Sequence, residues 1–226
     1  MTQVCILQHE PGEDAGTLAP LLPSARVVRT FAGDPVPDRA DALVVLGGGM
    51  GAYEEERLPH LADERRLLRR SVDEGRPILS ICLGSQLLAA ALGGTVARAA
   101  RKELGFYRVR LSPAAQDDAL FHGLPESFVA FHWHGDAFTL PAGAVALAGS
   151  TQTPLQAFRF GERAWGVQFH LELDAGVLQA MLAGGAEELA AEGVDPAQLL
   201  AASSRELPRL AALATTVFTR FAALVG

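Results

Sequence analysis

Apolar positions in this chain come in short runs broken by glycine, proline and charge, and the period of each run predicts an element. Residues 4–7 form a first apolar run, stopped by Gln8-His9-Glu10-Pro11-Gly12 as a buried strand would be. Residues 16–22 are weakly helical, 26–31 read as a second strand, and Pro35-Val36-Pro37 marks a loop before a third strand at 42–46. Residues 59–74 carry Leu61, Leu67, Leu68 and Val72 on one side and charge elsewhere, an amphipathic helix stopped by Gly75. Pro77-Ile78-Leu79-Ser80-Ile81 makes a buried strand that ends at Cys82, and helical periodicity covers 86–92 before Gly93-Gly94. Strand-like runs follow at 95–99, 106–111, 128–132, 144–148, 155–160 and 164–169. From Asp174 the pattern is helical, with Val177, Leu178, Met181 and Leu182 in phase, and Asp195-Pro196 opens a last helical segment reaching 224. Early βα alternation, a β-rich insertion and helices at the end predict an α/β fold. It is a doubly wound, mostly parallel sheet with helices on both faces and a small antiparallel addition.

Size and composition narrow the class. At 226 residues and 49% hydrophobic content the chain can bury a sheet covered on both faces, which predicts one domain over 1–226 with a helical C-terminal extension from about 174. A formal charge of -7 without a basic run argues against nucleic acid and anionic membranes. Arg65-Arg66 and Arg69-Arg70 read as a solvated helix face. Two cysteines, both in strand-like segments, do not make a disulfide framework. No signal-peptide pattern opens the chain and no apolar run reaches membrane-spanning length, so a cytoplasmic protein is expected.

Candidate chemistry sits where strands end. Cys82 lies between a buried strand and the small-residue turn Leu83-Gly84-Ser85 that opens a helix. A strand, a sharp turn and a helix N-terminus place a nucleophile proud of a parallel sheet, and the helix amides favour a thiolate. Gly47-Gly48-Gly49-Met50-Gly51 follows the third strand; without a Gly-Lys-Ser/Thr ending it is no phosphate loop, and it suits an oxyanion-binding amide. In an extended segment His170 and Glu172 point the same way, so the carboxylate can orient the imidazole while its other nitrogen meets a thiol. His9 and Glu10 end the first strand, where α/β sites often lie, and a surface pair is the expected reading. A metal held by His132, His134 and His170 is set aside, since the elbow cysteine explains these segments better.

Four stretches, in order, resemble the class I (triad-type) glutamine amidotransferases, in particular stand-alone domains similar to the glutaminase half of GMP synthetase. Leu46-Gly47-Gly48-Gly49 is similar to the family's Gly-Gly-Pro loop, and Ser80-Ile81-Cys82-Leu83-Gly84-Ser85-Gln86 to its Gly-x-Cys-x-Gly-x-Gln motif. Trp133-His134-Gly135-Asp136 resembles Ser-His-Gly-Asp, and Gly166-Val167-Gln168-Phe169-His170-Leu171-Glu172 resembles Gly-x-Gln-Phe-His-Pro-Glu. Ser80, Gly49 and Leu171 depart from the pattern but spare the reacting atoms.

The resemblance implies a flavodoxin-like amidotransferase fold and a triad of Cys82, His170 and Glu172. It further implies an oxyanion hole from the amides of Gly48 and Leu83, and substrate contacts from Gln86, Gly135 and Asp136. His134 has a structural or a direct role, and His132 and Trp133 are strand or pocket-wall residues. No cofactor is implied. The substrate is glutamine or a γ-glutamyl compound, and the ammonia goes to a separate synthase subunit or is simply released. A γ-glutamyl peptidase or hydrolase is the alternative with the same nucleophile; a non-catalytic module of the same fold is the third, and it would lack a nucleophile or a base.

Overall fold

In the computed structural model, which describes residues 3–226, one nine-stranded sheet runs through the molecule. Its first half is parallel. β1 (Val4–Gln8), β3 (Ala42–Val45), β4 (Ile78–Ile81) and β9 (Ala164–Val167) are buried along their whole length, as strands covered on both faces must be. β2 (Arg26–Arg29) is the edge strand, with a single buried residue. The antiparallel half comprises β8 (Ala157–Phe160), β7 (Ala144–Gly149), β5 (Val96–Leu111) and β6 (Ser127–Phe138).

The strand order is β2-β1-β3-β4-β9-β8-β7-β5-β6. The first four neighbouring pairs, out to β9, are parallel, and β9 is the hinge after which every pair is antiparallel. Two expected strands at 95–99 and 106–111 are one 16-residue strand, β5. The polar residues between them sit in a register shift from Arg98 to Glu103, which interrupts the apolar alternation without ending the ladder. The expected strand at 128–132 likewise continues to Phe138, through Trp133-His134-Gly135-Asp136.

Helices cover both faces. α1 (His60–Asp73) and α2 (Leu83–Ala91) pack one side, where Leu61, Leu67, Leu68, Leu87 and Leu88 meet Leu43, Val45 and Ile78. α3 (Ala175–Gly184), α4 (Ala186–Ala191) and α5 (Pro196–Val225) contribute to the other core, with Leu210, Val217, Phe218 and Phe221 under Trp165 and Phe169. Burying such side chains is worth about 1.5–3 kcal/mol each. Asp174 and Asp195 cap α3 and α5 through bonds to the amides of Val177 and Ala197, where helix starts were expected. Contrary to the expectation that no apolar run is long enough, α5 has the length and composition to cross a membrane. In the fold its apolar stripe packs into the core, and it carries Arg205, Glu206, Arg209 and Arg220.

The arginines of α1 do form a solvated face. Arg69 pairs with Asp73 at 2.7 Å and Arg65 with Glu55 at 2.6 Å, while Arg66 reaches Asp63.

Candidate active site

Two strand ends meet at the parallel edge. β4 and β9 are neighbours in register, Ile81 opposite Val167, so the residue after one and the loop after the other emerge together. The Cys82 amide donates to the Val167 carbonyl at 2.8 Å, and the next residue begins α2. Among the described residues Cys82 is the only non-glycine with positive φ, at 50° with ψ -112°. A side chain held there carries strain of about 1–3 kcal/mol, and the turn presents its thiol at the top of the sheet. Gly84 makes the turn possible, because a side chain there would collide with the Val45 carbonyl. Ser85 Oγ closes the turn by donating to the Cys82 carbonyl at 2.6 Å.

His170 and Glu172 follow β9, although the ladder stops at Val167, short of the expected strand end at 169. His170 Nδ1 lies 2.6 Å from Glu172 Oε1, both residues being almost wholly buried. Among the described residues its Nε2 has no hydrogen-bonding nitrogen or oxygen. Burial opposes a charge on this imidazole. The Glu172 carboxylate and the Cys82 sulfur outweigh burial and hold its pKa well above the ordinary histidine value. A side chain at Gly47 would lie 3.0 Å from His170 Cε1 and 3.5 Å from Cys82 Cβ, so that glycine is in contact with both.

Cys82 is only 5% exposed, yet it lines an open cavity of about 670 Å³ with Gly48, Gln86, Gly135 and Asp136. Its sulfur lies 3.6 Å from the Trp133 carbonyl and accepts from Gln168 Nε2 at 3.6 Å. Gln86 Nε2 donates to Gln168 Oε1 at 3.4 Å, which ties the first turn of α2 to the segment bearing His170. Among the described residues the amides of Gly48 and Leu83 donate to no backbone carbonyl.

The model of the family "Glutamine amidotransferase class-I" matches residues 27–186. The chain belongs to the class I glutamine amidotransferase family. Among its relatives, the glutamine amidotransferase-like protein YfeJ of Salmonella typhimurium is 32% identical over 168 residues, 72% of this chain and 70% of that one. The glutamine-hydrolyzing GMP synthase of Geobacillus kaustophilus is 44% identical over 136 residues, which are 59% of this chain and 25% of that enzyme. The chain thus spans about a quarter of the length of the GMP synthases it matches. In structure, a glutamine amidotransferase from Thermotoga maritima superposes with a TM-score of 0.89 over 98% of both chains, at 31% identity. One from Methylobacillus flagellatus gives 0.90 over 100% of this chain and 96% of that one, at 27% identity.

In this family member, side chains that no motif named surround Cys82, His170 and Glu172. Glu13 lines the cavity beside Gly47; burial and the neighbouring Glu172 and Glu10 raise its carboxyl pKa while His170 pulls the other way. The expected surface pair of His9 and Glu10 does not form. Glu10 faces the cavity, whereas His9 is buried and bonded to the Gly47 carbonyl and to Glu64, a charged residue on the packed side of α1. Local pattern could not reveal this, because Glu64 is 55 residues away in the chain.

The antiparallel half adds a second buried polar group. Glu103 accepts from Ser150 Oγ and Gln156 Nε2, both at 2.7 Å, and lies 3.2 Å from His134 Nε2; His134 Nδ1 is 3.0 Å from the Asp136 carbonyl. Burial favours a neutral Glu103, yet the His134 and Ser150 donors draw its pKa down to about 2. His134 therefore has a structural tie, and it also lines the cavity. Of the histidines weighed as metal ligands, the structure groups His132 and His134 with Glu103 rather than with His170; donor atoms of the three lie within 4.8 Å of one another. Burial drives His132 down to about 3, and among the described residues neither of its ring nitrogens has a partner. Trp133 forms a cavity wall, its indole N–H donating to Glu188 at 2.8 Å.

Proposed function

We propose that this chain hydrolyses the side-chain amide of glutamine through a cysteinyl thioester, with Cys82 as nucleophile, His170 as general acid and base, and Glu172 as orienting carboxylate. The buried 2.6 Å contact of Glu172 with His170, beside a cysteine held at positive φ, carries this reading. The Cys82 thiolate attacks the amide carbon, and the developing oxyanion takes hydrogen bonds from the amides of Gly48 and Leu83. One such donor is typically worth about 3–4 kcal/mol of barrier. His170 gives its proton to the departing nitrogen, which leaves as ammonia. It then takes a proton from water, whose oxygen attacks the thioester carbon and releases glutamate and the thiolate. Gln86, Gly135 and Asp136 line the same cavity and are assigned to the amino-acid end of the substrate.

The presence of nucleophile, base and orienting carboxylate favours an enzyme over a non-catalytic module. A separate cytoplasmic synthase is the proposed acceptor of the ammonia, in line with the similarity to part of GMP synthases. The cavity supports a second substrate class. At about 670 Å³ it extends past the thiol to Glu10, Tyr53, Glu54 and Met181, room for a substituent on the amide nitrogen and hence for γ-glutamyl amides. Ammonia release from glutamine, measured beside cleavage of a γ-glutamyl dipeptide, distinguishes the two. Loss of both in Cys82→Ser is expected; either activity surviving at wild-type rate would end the proposal.

A further inference from the structure

Resting on that reading, we infer that the buried pair His9–Glu64 locks the Gly47–Gly48 peptide with its N–H toward the Cys82 side, where the oxyanion forms. His9 is at the start of the loop after β1 and Glu64 is in α1, and neither side chain has any exposed surface. His9 Nδ1 lies 3.0 Å from the Gly47 carbonyl and Nε2 lies 2.8 Å from Glu64 Oε2; Glu64 Oε1 lies 3.1 Å from His60 Nδ1. A carbonyl can only accept, so Nδ1 carries hydrogen, and a carboxylate on the other side asks for hydrogen on Nε2 as well. Burial works against the charges, yet the two groups shift each other in the matching directions, His9 upward and Glu64 downward.

The peptide geometry does the rest. In a planar trans peptide the C=O and the next N–H point to opposite sides. Holding the Gly47 oxygen against His9 therefore aims the Gly48 N–H the other way, and that amide meets no backbone acceptor among the described residues. Two glycines in sequence would otherwise turn over readily, and the turned peptide would put a carbonyl where the oxyanion must sit. A stiffening side chain is disfavoured at both, because one at Gly47 would displace the Glu13 carboxylate and press on His170 Cε1 at 3.0 Å, and one at Gly48 would approach His9 Cβ to 2.8 Å. The lock has to come from outside the loop. A charge-assisted bond to the Gly47 oxygen supplies it and polarises the same peptide toward donation.

His9 is thus a positioning residue, and its test separates aim from fold. In His9→Leu, kcat on glutamine should fall at least tenfold with KM within about twofold, as for loss of a contact made only in the transition state. His9→Asn, whose amide nitrogen can replace Nδ1, should recover most of the loss, and Glu64→Gln should fall between the two. Alkylation of Cys82 by iodoacetamide, which forms no oxyanion, should keep its wild-type rate in all three. Inactivation by a glutamine-mimicking chloroketone, whose oxygen must enter the hole, should slow in parallel with kcat. Wild-type kcat in His9→Leu, or equal slowing of both reagents in Glu64→Gln, overturns the inference; should His9→Leu not fold, Glu64→Gln decides by the same two reagents. Failure of the wild-type protein to react with the chloroketone at Cys82 would instead remove the underlying proposal.

Discussion

The amide of His170 donates to the carbonyl of Phe131 at 2.8 Å, a single antiparallel bridge outside any strand ladder. It joins the loop after β9 to the middle of β6, two residues before Trp133, whose carbonyl faces the Cys82 sulfur. The antiparallel half therefore fixes where the imidazole stands, while the parallel half fixes the thiol. Four measurements probe the site and the two halves that build it.

The two cysteines should differ sharply in reactivity. Burial pushes Cys5 up to about 11, only partly relieved by Arg26, and it lies within β1, whereas Cys82 lines the cavity. Mass spectrometry of the native protein after limited iodoacetamide treatment at neutral pH should find Cys82 modified at least about a hundredfold faster than Cys5. Equal rates would contradict the site.

Glu172→Gln should lower kcat by about a hundredfold or more, through loss of the imidazole's orientation and of its charge partner. Burial then acts unopposed by the carboxylate and His170 titrates lower, so the alkaline limb of the pH–rate profile should move to lower pH. The sign for stability is the same: a raised histidine pKa gives stability that is present below about 6.5 and lost as pH rises through the folded-state value. The variant should lack that alkaline loss.

Gly84→Ala tests the elbow. The added methyl would meet the Val45 carbonyl, and the strain of forcing α2 off the sheet is expected to cost about 1–3 kcal/mol. Calorimetry should show a melting temperature lower by roughly 2–4 °C per kcal/mol. The loss of activity should exceed what the fraction unfolded explains, since the displaced turn carries Cys82.

His132 should make the fold acid-sensitive. Its pKa is depressed by burial to about 3, so as pH falls from 6.5 the unfolded chain takes up a proton that the folded chain refuses, and stability is lost between 6.5 and about 3. His132→Phe, packed edge-on to Tyr107 as the imidazole is now, removes two unpartnered buried nitrogens. Denaturant titrations at pH 7 and pH 5 should show a smaller difference for the variant than for the wild type. Glu103, drawn down to about 2, adds its own loss as pH falls below about 4.5, and His132→Phe should keep most of that part, which comes first from hydrogen bonds rather than from His132.

Legibility tracked the range of the interactions. Buried strands such as 42–45 and 78–81 were readable because a short, mainly apolar run that stops at a glycine-bearing turn has few other uses. Cys82, His170 and Glu172 were readable because each sits in a short local pattern. The 16-residue length of β5 was not, because Arg98, Arg101, Lys102 and Glu103 break the apolar rhythm while the ladder to β6 continues around them. His9 was misplaced for a similar reason: nothing within ten residues of it shows that a carboxylate on α1 will be buried against it.

By itself, then, the amino-acid order determined the αβ frame, the elbow and the residue types that can react, since these come from periodicity, turn chemistry and side-chain acidity. Tertiary structure alone decided that β4 and β9 are neighbours, that Phe131 pins the imidazole, and that Glu64 meets His9. Those are contacts across 39 to 86 residues of chain, chosen by how the packed sheet satisfies buried polar groups, and no local pattern encodes them.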